Sequence, residues 1–166
     1  MLEQYLGEDR FRDGIRLYIS RHAHGNTRTT DLWDAIEEAT GEPVRRIMDS
    51  WILQGGHPEV SVEQARDEDD RRVRLGQRRF LYATGDDGPA DATTWAVPVL
   101  LRVGTAPGHG PDAATSAERL VRVLLDGPST EVTLDDGATW VLANSGGSGF
   151  FRVRYDDEGR AALGRA

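Results

Sequence analysis

The 166-residue chain contains no cysteine. That removes disulfides, thiol catalysis and Cys-ligated zinc, and it is neutral on compartment. Lysine is absent too, so all 20 basic residues are arginine. Alongside abundant Ala, Gly and Asp, this is most simply the codon bias of a GC-rich genome. No stretch approaches the roughly 18 consecutive apolar residues that a membrane-spanning helix needs. The opening "MLEQYLGEDRFRDG" turns polar at once and lacks the charged-then-apolar build of a secretory signal. Positive excess is also missing: a net charge of −8 leaves no basic balance with which to displace counterions from a nucleic acid. These absences create the expectation of a soluble, cytoplasmic protein with neither a nucleic-acid nor a membrane partner.

What is present fits a globular chain. Hydrophobic residues make up 38% and the mean hydropathy is −0.53, enough for a modest core. Charge is spread along the chain. The densest run, "EQARDEDDRRVR", mixes both signs and reads as a solvated hairpin entrance.

The first third has helical periodicity. "MLEQYL" places Met1, Leu2, Tyr5 and Leu6 at helical spacing and stops at Gly7. "EDRFRDGIRLYISRHAHG" puts Phe11, Ile15, Tyr18 and Ile19 on one stripe, with acids at its start and Arg and His at its end to suit the helix dipole. Thr30 is expected to cap "DLWDAIEEA", in which Leu32, Trp33 and Ile36 form the buried face and Glu37 and Glu38 face water. Gly41 ends that helix, and Pro43 suits the first turn of "PVRRIMDSWIL". Gly55-Gly56 closes the helical part.

From His57 the period changes to two. "PEVSVE", "RRVRLGQRRFLYA", "TWAVPVLLRVG", "RLVRVLLDG", "TEVTLDDG", "TWVLANS" and "GFFRVRYD" read as short strands separated by Gly, Pro and Asp clusters. Trp95, Val97, Val99, Leu101 and Val103 share one face; Pro98, on the other, marks an edge position or a bulge because it has no N–H to donate. Seven such strands favour an antiparallel β-sandwich. "GTAPGHGPDAATSA", residues 104–117, reads as a mobile loop, and "DDEGRAALGRA" as the first turns of another helix. The fold expected is therefore α+β, about four helices followed by a sandwich. The helical part is small for an independent core, so its apolar stripes are expected to need a further surface to lean on.

Two regions carry a resemblance. "LGEDRFRDGIRLYISRHAHGNTRTTDLWDAIEEATGEPVRRIMDSWILQGGHPEVSV" resembles the late catalytic-domain region of the aminopeptidase N-type zinc aminopeptidases, which include puromycin-sensitive and endoplasmic-reticulum aminopeptidases. The shared pattern is a Leu-Gly-Glu-Asp helix start, a His-x-x-Gly-Asn turn, an Asp-Leu-Trp helix, and a Met-Asp-x-Trp helix entering a strand. Downstream, "QRRFL", "WAVPVLL" and "NSGGSGFFRVRYDDE" resemble that family's β-sandwich domain, with Phe151 and Arg154 standing where the family usually has Tyr and Asn. The resemblance implies three parts: residues 1–56 as the C-terminal helical part of a thermolysin-like catalytic domain, 57–156 as the sandwich, and 157–166 as the start of a truncated C-terminal helical domain.

It also implies a chemistry whose residues can be sought one by one. The family binds zinc through an H-E-x-x-H helix and a downstream Glu, holds the substrate's amine with a Gly-Ala-Met-Glu-Asn segment, and steadies the oxyanion with a Tyr. None of these motifs can be read in this sequence, and its four histidines, His22, His24, His57 and His109, form no H-E-x-x-H. Met1 matches an internal helical position of the family. The expectation is thus an internal fragment with no catalytic, cofactor-binding or metal-binding residue of its own, zinc and peptide substrates belonging to the parent enzyme.

Other readings of the residues are weaker. His22 and His24, two apart, do not share a helix face, and suit dipole partners at a helix end better than metal ligands. His57 reads as a solvated loop residue, and His109 falls in the 104–117 loop. "GGSGF" is no nucleophile elbow or phosphate loop; a tight turn between strands is the simpler reading. Trp33, Trp51 and Trp95 fall on apolar faces and suit core packing better than a sugar platform, while Trp140 sits in "TWVLAN", apolar on both faces. The alternative from a different class is a stand-alone binding or scaffold protein, forming a homodimer through an exposed apolar helical face.

Overall fold

Glycines punctuate the helical third. In the computed structural model, which describes residues 1–64, 72–81, 92–105, 118–134 and 137–165, α1 (Leu2–Leu6) and α2 (Glu8–His22) meet at Gly7, whose φ is 89°. α3 (Thr29–Thr40) ends at Gly41 in the left-handed conformation, its N–H donating to the Glu37 carbonyl at 2.7 Å, and α4 (Val44–Ile52) follows Pro43. The chain divides into two compact units, Met1–Gly55 and Gly56–Ala166. Among the described residues, no helix is long and apolar enough to cross a membrane.

α2 packs along α3 at close range. The approach is set by Gly14, at which a Cβ would stand 2.8 Å from Ile36 Cα. A glycine costs about 1 kcal/mol relative to alanine inside a helix, and the tight crossing is the compensating gain. Ala35, Ile36, Val44 and Ile47 are buried.

Three local expectations are corrected here. α3 starts two residues earlier than expected, with Arg28 and not Thr30 as its N-cap; the Asp31 carboxylate accepts the Arg28 N–H at 2.7 Å, and Thr30 lies inside the helix. Glu37 is half-buried and accepts the Arg45 N–H at 2.9 Å, which satisfies an orphan donor in the first turn of α4. Ile19, placed on the apolar stripe of α2, is exposed, while Leu32 and Trp33 are half-buried. On the surface, Arg21 forks onto Glu38 with two bonds of 2.7 Å, and that hydrogen bond holds the Glu38 carboxyl below its ordinary range.

Among its described residues, the second unit has seven strands in two sheets. β1 (Pro58–Gln64), β2 (Arg72–Arg79), β5 (Ser129–Thr133) and β7 (Arg152–Tyr155) form one, in the order β5-β2-β1-β7; β3 (Ala96–Gly104), β4 (Glu118–Asp126) and β6 (Trp140–Ala143) form the other, in the order β4-β3-β6. The α+β class therefore holds. The pairings are antiparallel except β1–β7, which is parallel, so the antiparallel expectation fails at that one edge. The reason is that β6 and β7 lie in different sheets. "GGSGF" is consequently a sheet-to-sheet crossing, closed by Asn144 at φ 55°, whose side chain accepts the Gly149 N–H at 2.7 Å and donates to the Gly149 carbonyl at 3.1 Å.

The core of this unit follows the period of two. Val60, Val62, Val73 and Leu75 come from the first sheet and Val97, Val99, Leu101 and Val103 from the second, all at most 2% exposed. Pro98 is accommodated because β6 pairs only with Leu101–Gly104, leaving the proline's half of β3 beyond that neighbour's reach. β3 is buried on both faces, since Ala96, Pro98 and Leu100 are buried as well. A last helix, α5 (Asp157–Leu163), is capped by Asp156, whose carboxylate accepts the Gly159 N–H at 2.6 Å, and it packs on β6, β1 and β7. Tyr155 reaches from β7 to accept the Ala143 N–H of β6 at 2.8 Å; burial raises its phenol pKa, a shift this N–H partly offsets. Of residues 104–117, read above as a mobile loop, Gly104 instead closes β3, and 106–117 lie outside the described residues.

Candidate functional site

The histidines are dispersed. His22 ends α2 with its ring 5.4 Å from that of Tyr18, and His24 occupies the following turn at φ 64°. His57 precedes β1 and stacks on Phe80, ring centres 5.1 Å apart and planes inclined by 27°. It is a packed residue, not the solvated one its loop position implied. His109 lies outside the described residues. Among those residues, no three His, Asp or Glu side chains gather as metal ligands would. Trp95 and Trp140 are 1% and 6% exposed and belong to the core, while Trp33 and Trp51 are half-buried.

The polar feature that does stand out is the outward face of β5-β2-β1-β7. A groove of about 450 Å³ opens there. Strand register explains its shape, because residues paired across the strands share one face. The row Ser129–Gly76–Ser61–Arg154 carries small side chains over three strands and forms the floor. At Gly76 a Cβ would stand 2.7 Å from the Ser61 hydroxyl, so the floor is already close-packed without one.

Charged rows flank that floor. Arg78 and Glu59 pair on one side, and Arg74 stands between Glu63 and Glu131 on the other. Glu59 is the organising group: its side chain is only 14% exposed, and it receives Arg78 Nη2 at 2.8 Å and Arg154 Nε at 3.1 Å. Arg72 meets Glu131 at 3.1 Å. Beyond the Arg78–Glu59 row the same face turns aromatic. His57 lies between Phe80 and Phe150, and the Arg152 guanidinium sits 4.2 Å from the centre of the Phe80 ring. A second groove, of about 430 Å³, lies on the other sheet between Leu100, Arg102 and Leu120.

Neither groove was anticipated from the sequence. The signal was there in the alternation "E-S-E" of β1 and "R-G-R" of β2, but it names a face only once the register is known. Chemically, the arrangement can hold charged and aromatic groups.

Comparison with known proteins agrees with the resemblance in the sequence. A family model described as "Peptidase family M1 domain" matches residues 1–51. The puromycin-sensitive aminopeptidase of Caenorhabditis elegans is 38% identical over 98% of this chain, which covers 16% of that protein. The tricorn protease-interacting factor F2 of Thermoplasma volcanium is 36% identical over 95% of the chain and 17% of its own length. Aminopeptidase M1 of Arabidopsis thaliana is 35% identical over all of the chain and 18% of its own length. The similarity thus runs through both units, and the chain spans less than a fifth of the relatives it matches. Residues 1–51 match the M1 peptidase family, and the chain as a whole is similar to a segment of named aminopeptidases.

Proposed function

We propose that this chain is a non-catalytic segment of a zinc-dependent aminopeptidase that releases N-terminal residues from peptides in the cytoplasm. In this reading residues 1–56 buttress the zinc site of the catalytic domain. Residues 57–156 form a sandwich spacing that domain from a C-terminal helical domain, which begins at 157–166. The observation that carries the reading is the similarity to named aminopeptidases along 95–100% of the chain, at 16–18% of their length, in a sequence from which no H-E-x-x-H can be drawn.

Zinc belongs to the parent by this reading, and the residues described here do not fit it. His22 ends α2 with its ring beside Tyr18, His24 stands in the turn beyond, and His57 is taken up in an aromatic stack. No catalytic step is assigned to these residues. Purified chain supplied with zinc is expected to leave aminoacyl-anilide substrates intact. Turnover above the zinc-only background, lost on adding chelator, would falsify the reading.

The exposed apolar residues of the helical unit favour a second reading, a stand-alone scaffold that self-associates. Ile19, Ile52 and Leu53 are 59%, 55% and 77% exposed. Under this reading light scattering finds a dimer that Ile52→Glu with Leu53→Glu converts to monomer. A monomeric parent chain at 100 μM, on the order of the weakest stable dimers, removes it.

A further inference from the structure

The paired residues on the outward face of the four-stranded sheet have a charge opposite to that of the chain as a whole. Among the described residues, the paired rows of that face bring together five arginines and three glutamates, a local excess of two positive charges on a chain of net charge −8. The acids are distributed so as to hold the arginines in place. Glu59 gathers Arg78 and Arg154 to one point, and one carboxylate facing two guanidinium groups leaves one positive charge over. At the end of the same face stands Phe150, 70% exposed, its ring 5.6 Å from His57. Between the arginine rows the floor is small and hydroxyl-bearing.

We propose that this face is a recognition surface for an acidic polypeptide segment carrying an aromatic side chain. The arginines would take carboxylates of the segment. The ring of Phe150 would take the aromatic group, and the Ser61–Gly76–Ser129 floor would admit the backbone between them. Arginine suits carboxylate because its planar fork can donate two bonds at once. An aromatic anchor beside charged contacts is what concentrates affinity in a small interface. A single-stranded nucleic acid also combines negative charge with planar rings. It is disfavoured because a polyanion charged at every nucleotide runs on beyond this face into the field of a chain of net charge −8, whereas a short acidic segment places its few charges on this face alone. The proposal does not depend on the aminopeptidase reading, since it concerns binding by this chain alone.

The test uses the 166-residue chain and a fluorescein-labelled peptide, Glu-Glu-Trp-Glu-Glu with blocked ends, read by anisotropy in 25 mM salt. Saturable binding is expected, weakening by about tenfold or more at 200 mM salt as screening rises. Arg74→Glu and Phe150→Ala should each weaken it by about tenfold, a change of about 1.4 kcal/mol. Glu59→Gln should tighten it, because it releases two guanidinium groups from their internal carboxylate; a merely structural Glu59 would give the opposite. Circular dichroism confirms that each variant is folded. The lysine counterpart, Lys-Lys-Trp-Lys-Lys, serves as a charge control and an oligothymidine of ten residues as the rival ligand. Absence of peptide binding, equal binding of the lysine peptide, or indifference to both Arg74→Glu and Phe150→Ala overturns the proposal. So does tighter binding of the oligothymidine through the same residues.

Discussion

Replacing Gln77 with methionine is expected to destabilise the two-sheet unit by about 3 kcal/mol, because three hydrogen bonds to backbone groups are lost at once. Gln77 belongs to β2, yet its side chain bonds outside its own sheet. Its amide nitrogen donates to the Trp95 carbonyl at 2.8 Å and the Gly127 carbonyl at 2.6 Å, and its oxygen accepts the Trp95 N–H at 2.9 Å. The Gln77 backbone N–H donates to the Pro128 carbonyl at 2.9 Å. One side chain thus ties β2 to the start of β3 and to the link between β4 and β5. Methionine has nearly the same length and no hydrogen-bonding equivalent, so the backbone groups it abandons bear the cost, not a cavity.

Gln77→Glu separates the two kinds of bond. At pH 7 the carboxylate still accepts from Trp95 N–H but faces two carbonyl oxygens that it cannot serve. Its pKa in the folded state is then raised above the unfolded value. A raised folded pKa means that the contribution is fully present below the unfolded pKa and is lost as pH rises through the folded one. The Glu variant should therefore gain on the Met variant as pH falls from 7 to 4, measured by urea denaturation at each pH. A parallel pH course for the two variants would show that Gln77 acts through packing alone.

Much of this fold was legible in the residues, and what was missed has a common physical cause. Each segment read as a strand with period two contains a strand or lies partly outside the described residues, and the helical breaks fall at Gly7 and Gly41 as read. These features depend on neighbours a few positions away. The misses depend on distant ones. Glu37 looked solvent-facing because its partner, the Arg45 N–H, belongs to the next helix. Ile19 looked buried because four residues at helical spacing make a stripe whether or not a second surface covers its end. The parallel pairing of β1 with β7 joins residues more than 90 positions apart, and no periodicity reports that. The basic and aromatic face is a product of that same register: Arg152 and Arg154 join Glu59 only because β7 lies beside β1. The family, by contrast, was carried by ordered short motifs that needed no register at all.

The second large effect concerns Gly104, where two rules of thumb disagree. Within a strand, alanine is ordinarily better than glycine by about 0.5–1 kcal/mol, since glycine loses more backbone freedom on folding. Gly104 closes β3 and lies directly opposite Trp140 of β6. The indole lies over it so closely that an added Cβ would stand 2.2 Å from Cζ2 and 2.6 Å from Cε2 of that ring. No real contact is that short, so either the ring or β6 must move. Trp140 is 6% exposed and sits beside Val103 and Val141, at 2% and 1%, leaving the ring no free volume to turn into. The Gly104 carbonyl also accepts the Thr139 N–H at 2.9 Å, which anchors the approach to β6. Overpacking of this kind costs about 1–3 kcal/mol, more than the propensity gain, so Gly104→Ala should be net destabilising by about 2 kcal/mol. The cause is separable by a double-mutant cycle. Trp140→Leu alone removes buried ring and should cost about 2–4 kcal/mol, but in its presence Gly104→Ala should cost little or nothing. A coupling energy near zero, with Gly104→Ala equally harmful beside leucine, would place the strain in the backbone and not under the indole.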